Sequence, residues 1–386
     1  MKLIIKNIFI KQGELNKLFM PKDNNCLLIR VITKIIAIAC LISMLLSYKL
    51  WLNERTFPLS PVSDYLPIIK HPVDYILLGI VFILLLCICI FRKPQKIIIT
   101  FLIITFIIAL FDQNRWQPWF YQYLMMFFVL SFFNYRCEDI KHANAIITIF
   151  KIMTGAIYFW SGIQKLNPNF VNDTFPWLME PFTNHLGANS ITHFKLLGRA
   201  FPLIEAGVGI ALFIKPVQKT AVVLISLMHL FILFVVGPLG HNYNPVIWPW
   251  NLAMICIVFV LFFNNKNFDL DYLRNMFRYH SLKIATILFV LMPLFNFFNL
   301  WDSYLSLNLY SGNTSNGVIY VSDNLKEKLP PAIKPYAIGQ LNQNQITIKY
   351  WCMEELGVPA YPEKRNFEAI TNFFYTPIFY SYLVLI

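Results

Sequence analysis

The chain has 386 residues, of which 57% are hydrophobic and only 13% are charged, and its formal net charge is +12. A soluble protein carries about 25% charged residues, so this composition excludes an ordinary soluble domain. The basic residues lie in short segments between apolar runs, without any nucleic-acid-binding motif, so we expect no nucleic-acid partner. The apolar runs are each long enough to cross a bilayer as a helix, which takes about 20 residues. The sequence therefore predicts a multi-pass membrane protein whose first partner is the lipid bilayer.

The chain divides into three regions. Residues 1–30 are lysine-rich and lack the compact apolar core and cleavage site of a signal peptide, so we expect a cytoplasmic segment. Residues 31–301 form an all-α polytopic bundle of about nine transmembrane helices, and residues 302–386 form a small extramembrane domain. The predicted spans are 31–51, 73–91, 97–112, 118–135, 145–165, 201–214, 220–237, 247–264 and 284–301.

The basic loops predict the orientation of the bundle. With nine spans, the N-terminal segment and loops such as Arg92–Lys96 and Lys215–Lys219 all fall on one side. Loops rich in lysine and arginine face the cytoplasm in most membrane proteins. We therefore expect a bacterial inner-membrane protein with a cytoplasmic N-terminus and an extracytoplasmic C-terminus.

The C-terminal region changes character after Trp301. LYSGNTSNGVIYVSD combines turn residues with alternating β-branched and polar residues, and QITIKYW alternates in the same way, so both predict strands in an α/β or β-rich domain. Of the seven cysteines only Cys352 lies in this domain, so we expect no structural disulfide there. Histidine and cysteine spacing predicts no metal site. Whether the final apolar tail inserts in the membrane stays open.

A polar stripe follows the fifth predicted span, with steps of three and four residues that place its members on one helix face. The stripe consists of Lys151, Thr154, Tyr158, Ser161 and Lys165. Gly155 and Gly162 lie beside it and permit the close approach of a second helix or of a flat ligand. Because charged groups at membrane depth are costly, this face should point into a bundle interior or a cavity.

The two lysines of the stripe have different expected roles. Lys151 lies near the cytoplasmic end, where a lysine extends its ammonium group to the membrane surface. Lys165 lies at the outer end and has two interpretations. It caps the C-terminus of the helix as an interfacial anchor, or it is a base inside a cavity.

Other candidate site residues gather at or near the outer half of the predicted bundle. They are Arg115, Glu205, His229, His241, Asn242 and Trp248. Four of them have a structural alternative. Arg115 pairs with Asp112 on the same turn, and Glu205 pairs with Lys165 or Arg115 or stays neutral as a hydrogen-bond donor. His229 is a packing residue, and Trp248 belongs to an aromatic belt. The main argument for a site is that the predicted outer loops bring six residues to similar depth. They are Asp112, Arg115, Lys165, Glu205, His241 and Asn242.

The stretch SGIQKLNPNF resembles a motif of the horizontally transferred transmembrane (HTTM) family and of vitamin K-dependent γ-carboxylases. Gly162, Lys165, Leu166 and Phe170 match its run of glycine, two residues, lysine and leucine, then a polar turn and an aromatic residue. The resemblance implies a quinone or quinol as the cofactor or substrate, with Lys165 as the base that deprotonates the quinol.

No second catalytic residue matches the motif, and the substrate-binding candidates come from the polar stripe and the other polar residues of the predicted outer half. His229 and His241 are the candidates for a second catalytic group. The candidate substrate-binding residues are Tyr158, Ser161, Glu205, Arg115, Asn242 and Trp248.

DoxX-like membrane proteins have a similar helix end, in which a small residue precedes Lys-Leu. This second resemblance implies a non-enzymatic, redox-associated or envelope-assembly subunit that binds a membrane or periplasmic partner through residues 302–386. A transporter is the least favoured alternative, because the sequence has no internal repeat or paired broken helices.

Overall fold

The computed structural model describes residues 24–67, 69–183, 190–263, 273–274, 277–340, 343–375 and 382–385. Most of the predicted N-terminal segment 1–30 and part of the apolar C-terminal tail lie outside these residues.

A helix lies at each predicted span. The helices of this region are α1 (Asn24–Leu46), α2 (Val73–Ile90), α3 (Gln95–Leu110), α4 (Pro118–Ser131), α5 (Ile140–Gln164), α6 (Phe175–Thr183), α7 (Ser190–Ala211), α8 (Gln218–Val236), α9 (Trp248–Val258) and α10 (His280–Thr286). Three of these helices continue in short helical segments. Tyr48–Trp51 follows α1, Phe259–Phe263 follows α9, and Ile287–Leu291 and Met292–Phe298 follow α10.

Five helical segments in the described residues are long and apolar enough to cross a membrane. They are Asn25–Leu46, Val73–Ile90, Ile140–Gln164, Gln218–Val236 and Pro245–Phe263. Gln95–Leu110 and Leu282–Phe298 are apolar but shorter. These lengths and compositions are those of a multi-pass membrane protein.

Helix α6 was not expected, because the sequence predicts a loop from Leu166 to Ala200. In the structure a π-helical turn, Phe170–Thr174, leads directly into α6. Phe175 and Leu178 are buried on this helix. The apolar face of α6 is too short to be recognised as a helix signal in a sequence that contains many longer apolar runs.

Helix α5 is the central helix of the bundle and packs most extensively on α7. A Cβ atom added at Gly162 would lie 2.6 Å from the Pro202 carbonyl oxygen, and one added at Gly209 would lie 2.8 Å from the Gly155 carbonyl oxygen. Only glycine permits such a close approach of two helix backbones. The glycines beside the polar stripe therefore accommodate a helix.

Lys151 does not extend to the surface as expected. Its side chain is buried, and its Nζ lies 5.7 Å from the centre of the Phe262 ring. The expectation is wrong because the end of α9 and its continuation cover this part of α5. A cation–π contact with Phe262 takes the place of a water-facing ammonium group.

The C-terminal domain is mixed α/β. Its strands are β1 (Gly317–Val321), β2 (Ile338–Gln340), β3 (Gln343–Thr347) and β4 (Tyr382–Leu385), and its helices are α11 (Asp323–Lys328), α12 (Ile348–Leu356) and α13 (Lys364–Asn372). The antiparallel order β2-β3-β1 is extended by β4 on the free edge of β1, and Val318 lies opposite both Thr347 and Val384. The stretch QITIKYW is a strand only as far as Thr347, after which it becomes α12.

The C-terminal domain contacts one end of the bundle. It forms hydrogen bonds with four interhelical segments that the sequence predicts on the same membrane side. The bonded pairs are Phe57–Glu355, Asn114–Tyr361, Asn167–Ser311 and Asn244–Tyr310. This common end is where the candidate site lies.

Candidate functional site

Lys165 and Glu205 form a buried ion pair at the C-terminal end of α5. The Lys165 Nζ donates to the two carboxylate oxygens of Glu205 at 3.0 and 2.8 Å, and to the Ser161 Oγ at 2.7 Å. It also lies 3.2 Å from the Ser161 carbonyl oxygen. The relative exposure of the two side chains is 9% and 6%. Of the two pairings open for Glu205, the structure has the one with Lys165.

Local structure explains why these two groups meet. Lys165 is the C-cap residue of α5, so its side chain turns back along the helix toward Ser161. Glu205 projects from α7 close to Gly162, where the two helices approach each other. The absence of a side chain at Gly162 therefore brings the carboxylate within hydrogen-bond distance of the ammonium group.

A second polar cluster joins α5, α8 and α9. The Tyr158 hydroxyl lies 2.8 Å from His229 Nε2, and His229 Nδ1 lies 2.7 Å from Asn251 Oδ1. The Asn251 amide nitrogen donates to the Ile247 carbonyl at 2.8 Å, which leaves its oxygen to accept from His229. His229 therefore carries its proton on Nδ1, and Nε2 accepts the Tyr158 hydroxyl proton.

Both clusters border one cavity of about 110 Å³, here named the inner cavity. Its polar lining residues are Gln122, Tyr158, Ser161, Lys165, Glu205, His229 and Asn251. Its other walls are apolar or aromatic and include Phe201, Phe231 and Trp250. The structure thus brings together five of the predicted site residues around one space.

His241 lies apart from this group. It lines a larger cavity of about 630 Å³, here named the outer cavity, between the bundle and the C-terminal domain. Its ring stacks on Trp177 with the ring centres 4.3 Å apart, and its Nε2 donates to the Trp177 carbonyl at 2.7 Å. This arrangement fixes the histidine ring in the wall of the outer cavity.

Arg115 is not placed at either cavity. Its guanidinium donates to the carbonyl oxygens of Leu50, Trp51 and Ile108 at 2.8–3.0 Å. Burial lowers the pKa of Arg115 to about 10, which leaves the group charged at neutral pH. The arginine therefore satisfies the carbonyls at two helix ends, a structural task.

Asp112 does not form the expected pair with Arg115. Its carboxylate is bonded to Arg55, in a buried ion pair. The charged groups that the sequence predicts at one depth thus lie in distinct clusters, because each one finds its partner on a different neighbouring segment.

Asn242 and Trp248 contribute to neither cavity. Asn242 is exposed and has a φ of 47°, a left-handed conformation that asparagine tolerates well. Trp248 is half-buried at the start of α9, and its Nε1 lacks a hydrogen-bond partner in the described part of the chain. These positions belong to a turn and to a helix end.

Sequence reasoning did not select Asn251 or Tyr310. Asn251 is an amide within an apolar span, the same signal that drew attention to His229, so it was detectable. Tyr310 lines both cavities, and its φ of 52° is unusual for an aromatic residue. The left-handed backbone conformation costs a non-glycine residue about 1–2 kcal/mol. No sequence pattern predicts this conformation at Tyr310.

Comparison of the chain with models of protein families, with curated proteins and with solved structures finds no match. The chemistry of the site therefore rests on its own geometry.

Proposed function

We propose that the protein is a membrane enzyme of the HTTM and vitamin K-dependent carboxylase-like type. Its inner cavity accepts the hydroxyl group of a quinol or a similar lipid-soluble substrate, and Lys165 acts as the general base. The observation that carries this proposal is the buried Lys165–Glu205 pair at the edge of an aromatic cavity.

The proton transfer requires both members of the pair. When the Lys165 proton shifts to Glu205 along their 2.8 Å hydrogen bond, the products are a neutral amine and a neutral acid. Poorly solvated surroundings favour such neutral forms. The amine then takes the substrate hydroxyl proton, and the resulting ammonium group stabilises the substrate oxyanion.

The Tyr158–His229–Asn251 cluster supplies orientation. The Tyr158 hydroxyl donates to His229, so its oxygen keeps acceptor capacity toward the cavity. A substrate hydroxyl could donate there while a second hydroxyl faces Lys165. The two polar clusters thus suit a substrate with oxygen atoms on two sides of an apolar ring, as in a quinol.

The size of the inner cavity limits the substrate. A cavity of about 150 Å³ binds benzene in a protein interior, whereas the inner cavity measures about 110 Å³. A single-ring head group therefore enters only if wall residues such as Phe201 and Phe231 move. A two-ring quinol needs a larger opening.

We also propose nine membrane spans in a bacterial inner membrane, with the N-terminus in the cytoplasm. The contact of the C-terminal domain with four segments predicted on one side supports this arrangement, as do the basic segments on the other. Alkaline phosphatase fused after residue 386 should be active, and the same enzyme fused after Lys96 should be inactive. An active fusion after Lys96 and an inactive fusion after residue 386 would show the opposite membrane orientation.

The test of the enzymatic proposal is oxygen-dependent oxidation of an added quinol by the purified protein in nanodiscs, with product masses recorded. Lys165→Met should lower the rate at least 100-fold, since general-base catalysis contributes roughly 10²–10⁴-fold. The exposed lysine Lys96 provides a matched control, and Lys96→Met should retain the full rate. Turnover by folded Lys165→Met at the wild-type rate would refute Lys165 as the base.

One observation favours a second candidate, a non-enzymatic DoxX-like subunit. The hydrogen-bonding capacity of Lys165 is already satisfied by Ser161 and Glu205, as expected for a purely structural contact between α5 and α7. This candidate predicts a stable membrane or periplasmic partner that co-purifies in mild detergent and dissociates when residues 302–386 are removed. Turnover by the isolated wild-type protein would contradict it.

A further inference from the structure

The outer cavity contains three hydrogen-bond donors that have no partner in the described part of the chain. They are the Lys349 ammonium group and the hydroxyls of Tyr243 and Tyr304. Tyr304 is only 4% exposed and Lys349 is half-buried, yet none of the three donor atoms is among the fully enclosed side-chain atoms that lack a partner, so each is open to the cavity. Ammonium groups with little exposure are normally paired with an anion, so these three donors are available to an acceptor that enters the outer cavity.

These donors come from three separate parts of the fold. Lys349 lies in the first turn of α12, Tyr243 in the segment between α8 and α9, and Tyr304 in the segment that follows α10. Burial, followed by the neighbouring Tyr243 and Tyr310, raises the pKa of Tyr304 well above its usual value. The hydroxyls thus stay protonated as donors, and the tyrosines lie near one another.

The walls of the outer cavity are mostly aromatic on one side. Trp177 contacts both Tyr243 and Tyr310, with ring centres 5.5 and 6.1 Å apart. The cavity volume of about 630 Å³ lies within the roughly 300–1,000 Å³ typical of ligand pockets. Asp173 also lines the cavity, but its side chain is exposed, so water screens its charge.

We propose that the outer cavity binds a phosphate group through the Lys349 ammonium and the hydroxyls of Tyr243 and Tyr304. Three donors on three separate segments can each bond a different oxygen of a phosphate group, which has three or four, whereas a carboxylate has only two oxygen atoms to share among them. The anion also supplies the counter-charge that Lys349 lacks. The group belongs to a soluble phosphate ester or to a lipid head group. This site is separate from the inner cavity and does not depend on the proposed enzymatic activity.

The test is calorimetric titration of the full chain in a phosphate-free maltoside detergent. The probes are inorganic phosphate, glycerol 3-phosphate, dihexanoyl phosphatidic acid and, as the carboxylate comparison, glutarate. We expect saturable binding of the phosphate compounds and weaker binding of glutarate. Tighter binding of the phosphatidic acid than of glycerol 3-phosphate assigns a lipid head group, and the opposite order assigns a soluble ester.

Variants connect the binding to the named donors. Lys349→Met should weaken phosphate binding at least about tenfold, the loss expected when a hydrogen bond to a charged group is removed. Tyr243→Phe and Tyr304→Phe should each weaken it several-fold. The control Lys334→Met removes an exposed lysine of the same domain and should leave the affinity unchanged.

Thermal unfolding without phosphate separates a binding role from a folding role. Because Lys349 lacks a counter-ion, Lys349→Met should unfold at the wild-type temperature or above it. The proposal is overturned if the wild-type protein binds none of the phosphate compounds. It is equally overturned if Lys349→Met binds them normally, or if glutarate binds as tightly as phosphate.

Discussion

Lys165 and Glu205 are compatible with membrane depth only as a pair. Each ion alone would lose its hydration without compensation, and an isolated buried charge is far more costly than a polar group. Their mutual hydrogen bonds and the Ser161 hydroxyl offset much of that cost. A buried pair is nevertheless weak evidence for stability, because apolar residues of similar volume often stabilise a fold equally well.

Removing one partner of the pair should therefore be far more harmful than removing both. Glu205→Gln leaves the ammonium group without its counter-ion and should destabilise the protein by about 3–5 kcal/mol. The double variant Lys165→Met/Glu205→Leu should unfold close to the wild-type temperature, yet should lack quinol turnover. Thermal unfolding in detergent, together with the quinol assay, measures both effects.

Two results would separate the possible roles of the pair. An active double variant would exclude the pair from catalysis. A double variant less stable than Glu205→Gln would show that the ion pair is needed for folding.

At the scale of elements, the site depends on the close contact of α5 with α7. Gly155, Gly162 and Gly209 let the two backbones approach. Within the polar stripe of α5, Lys165 then faces α7 and Tyr158 faces α8. The cavity-lining groups of α5 thus occupy a face that lipid does not reach. Helix α8 exposes large apolar residues such as Leu227 and Leu230 on its opposite face, as expected of a helix in contact with lipid.

A side chain at Gly162 should separate these helices. A Cβ atom there would meet the backbone atoms Ala206 N and Pro202 O, which cannot rotate away. Gly162→Ala should therefore destabilise the protein by about 1–3 kcal/mol, as overpacking usually does. Thermal unfolding tests the direction and the size of the change.

Gly207 of α7 is the matched control for this substitution. No atom lies within 4 Å of the position that its Cβ would occupy. Gly207→Ala should stabilise the helix by roughly 0.5–1 kcal/mol, because alanine loses less backbone entropy than glycine. Equal effects at the two positions would mean that α5 and α7 are not in close contact.

At the scale of the whole molecule, the C-terminal domain covers the end of the bundle at which Asn114 and Asn167 lie. Asn114 is central to this contact. Its Oδ1 accepts from the Tyr361 backbone nitrogen at 3.0 Å and from Asn366 Nδ2 at 3.1 Å, while its amide nitrogen donates to Asp112 at 2.9 Å. This interface places Tyr310 between the inner and outer cavities.

Asn114→Ala should loosen the domain from the bundle. The change leaves the buried Tyr361 N–H without its acceptor, which costs about 1–3 kcal/mol. It also removes one of the two acceptors of the Asn366 amide, which keeps the Tyr361 carbonyl. Limited proteolysis should then release a C-terminal fragment faster than from the wild-type protein. Asn372→Ala, at an exposed position of α13, should leave the cleavage rate unchanged. A wild-type rate for Asn114→Ala would argue against this contact as the main attachment.

The sequence by itself determined the features that depend on local composition. Apolar runs predicted the helices, because a membrane-spanning helix must satisfy its backbone groups internally and present apolar side chains. The 3.6-residue period placed Tyr158, Ser161 and Lys165 on one face, and the change in pattern after Trp301 indicated the C-terminal domain. The boundaries of single elements were predicted less accurately. Ile348, for example, continues a strand-like pattern but begins a helix.

Only the tertiary structure decided which polar groups meet. From the sequence, Glu205 could pair with Lys165 or Arg115, and Asp112 with Arg115. The fold instead pairs Glu205 with Lys165 and Asp112 with Arg55. It also buries Lys151 and brings Lys349 to a cavity beside Tyr243, more than 100 positions away in the chain. Such partners are set by the packing of distant elements, whereas periodicity reports only the face of a helix on which a residue lies.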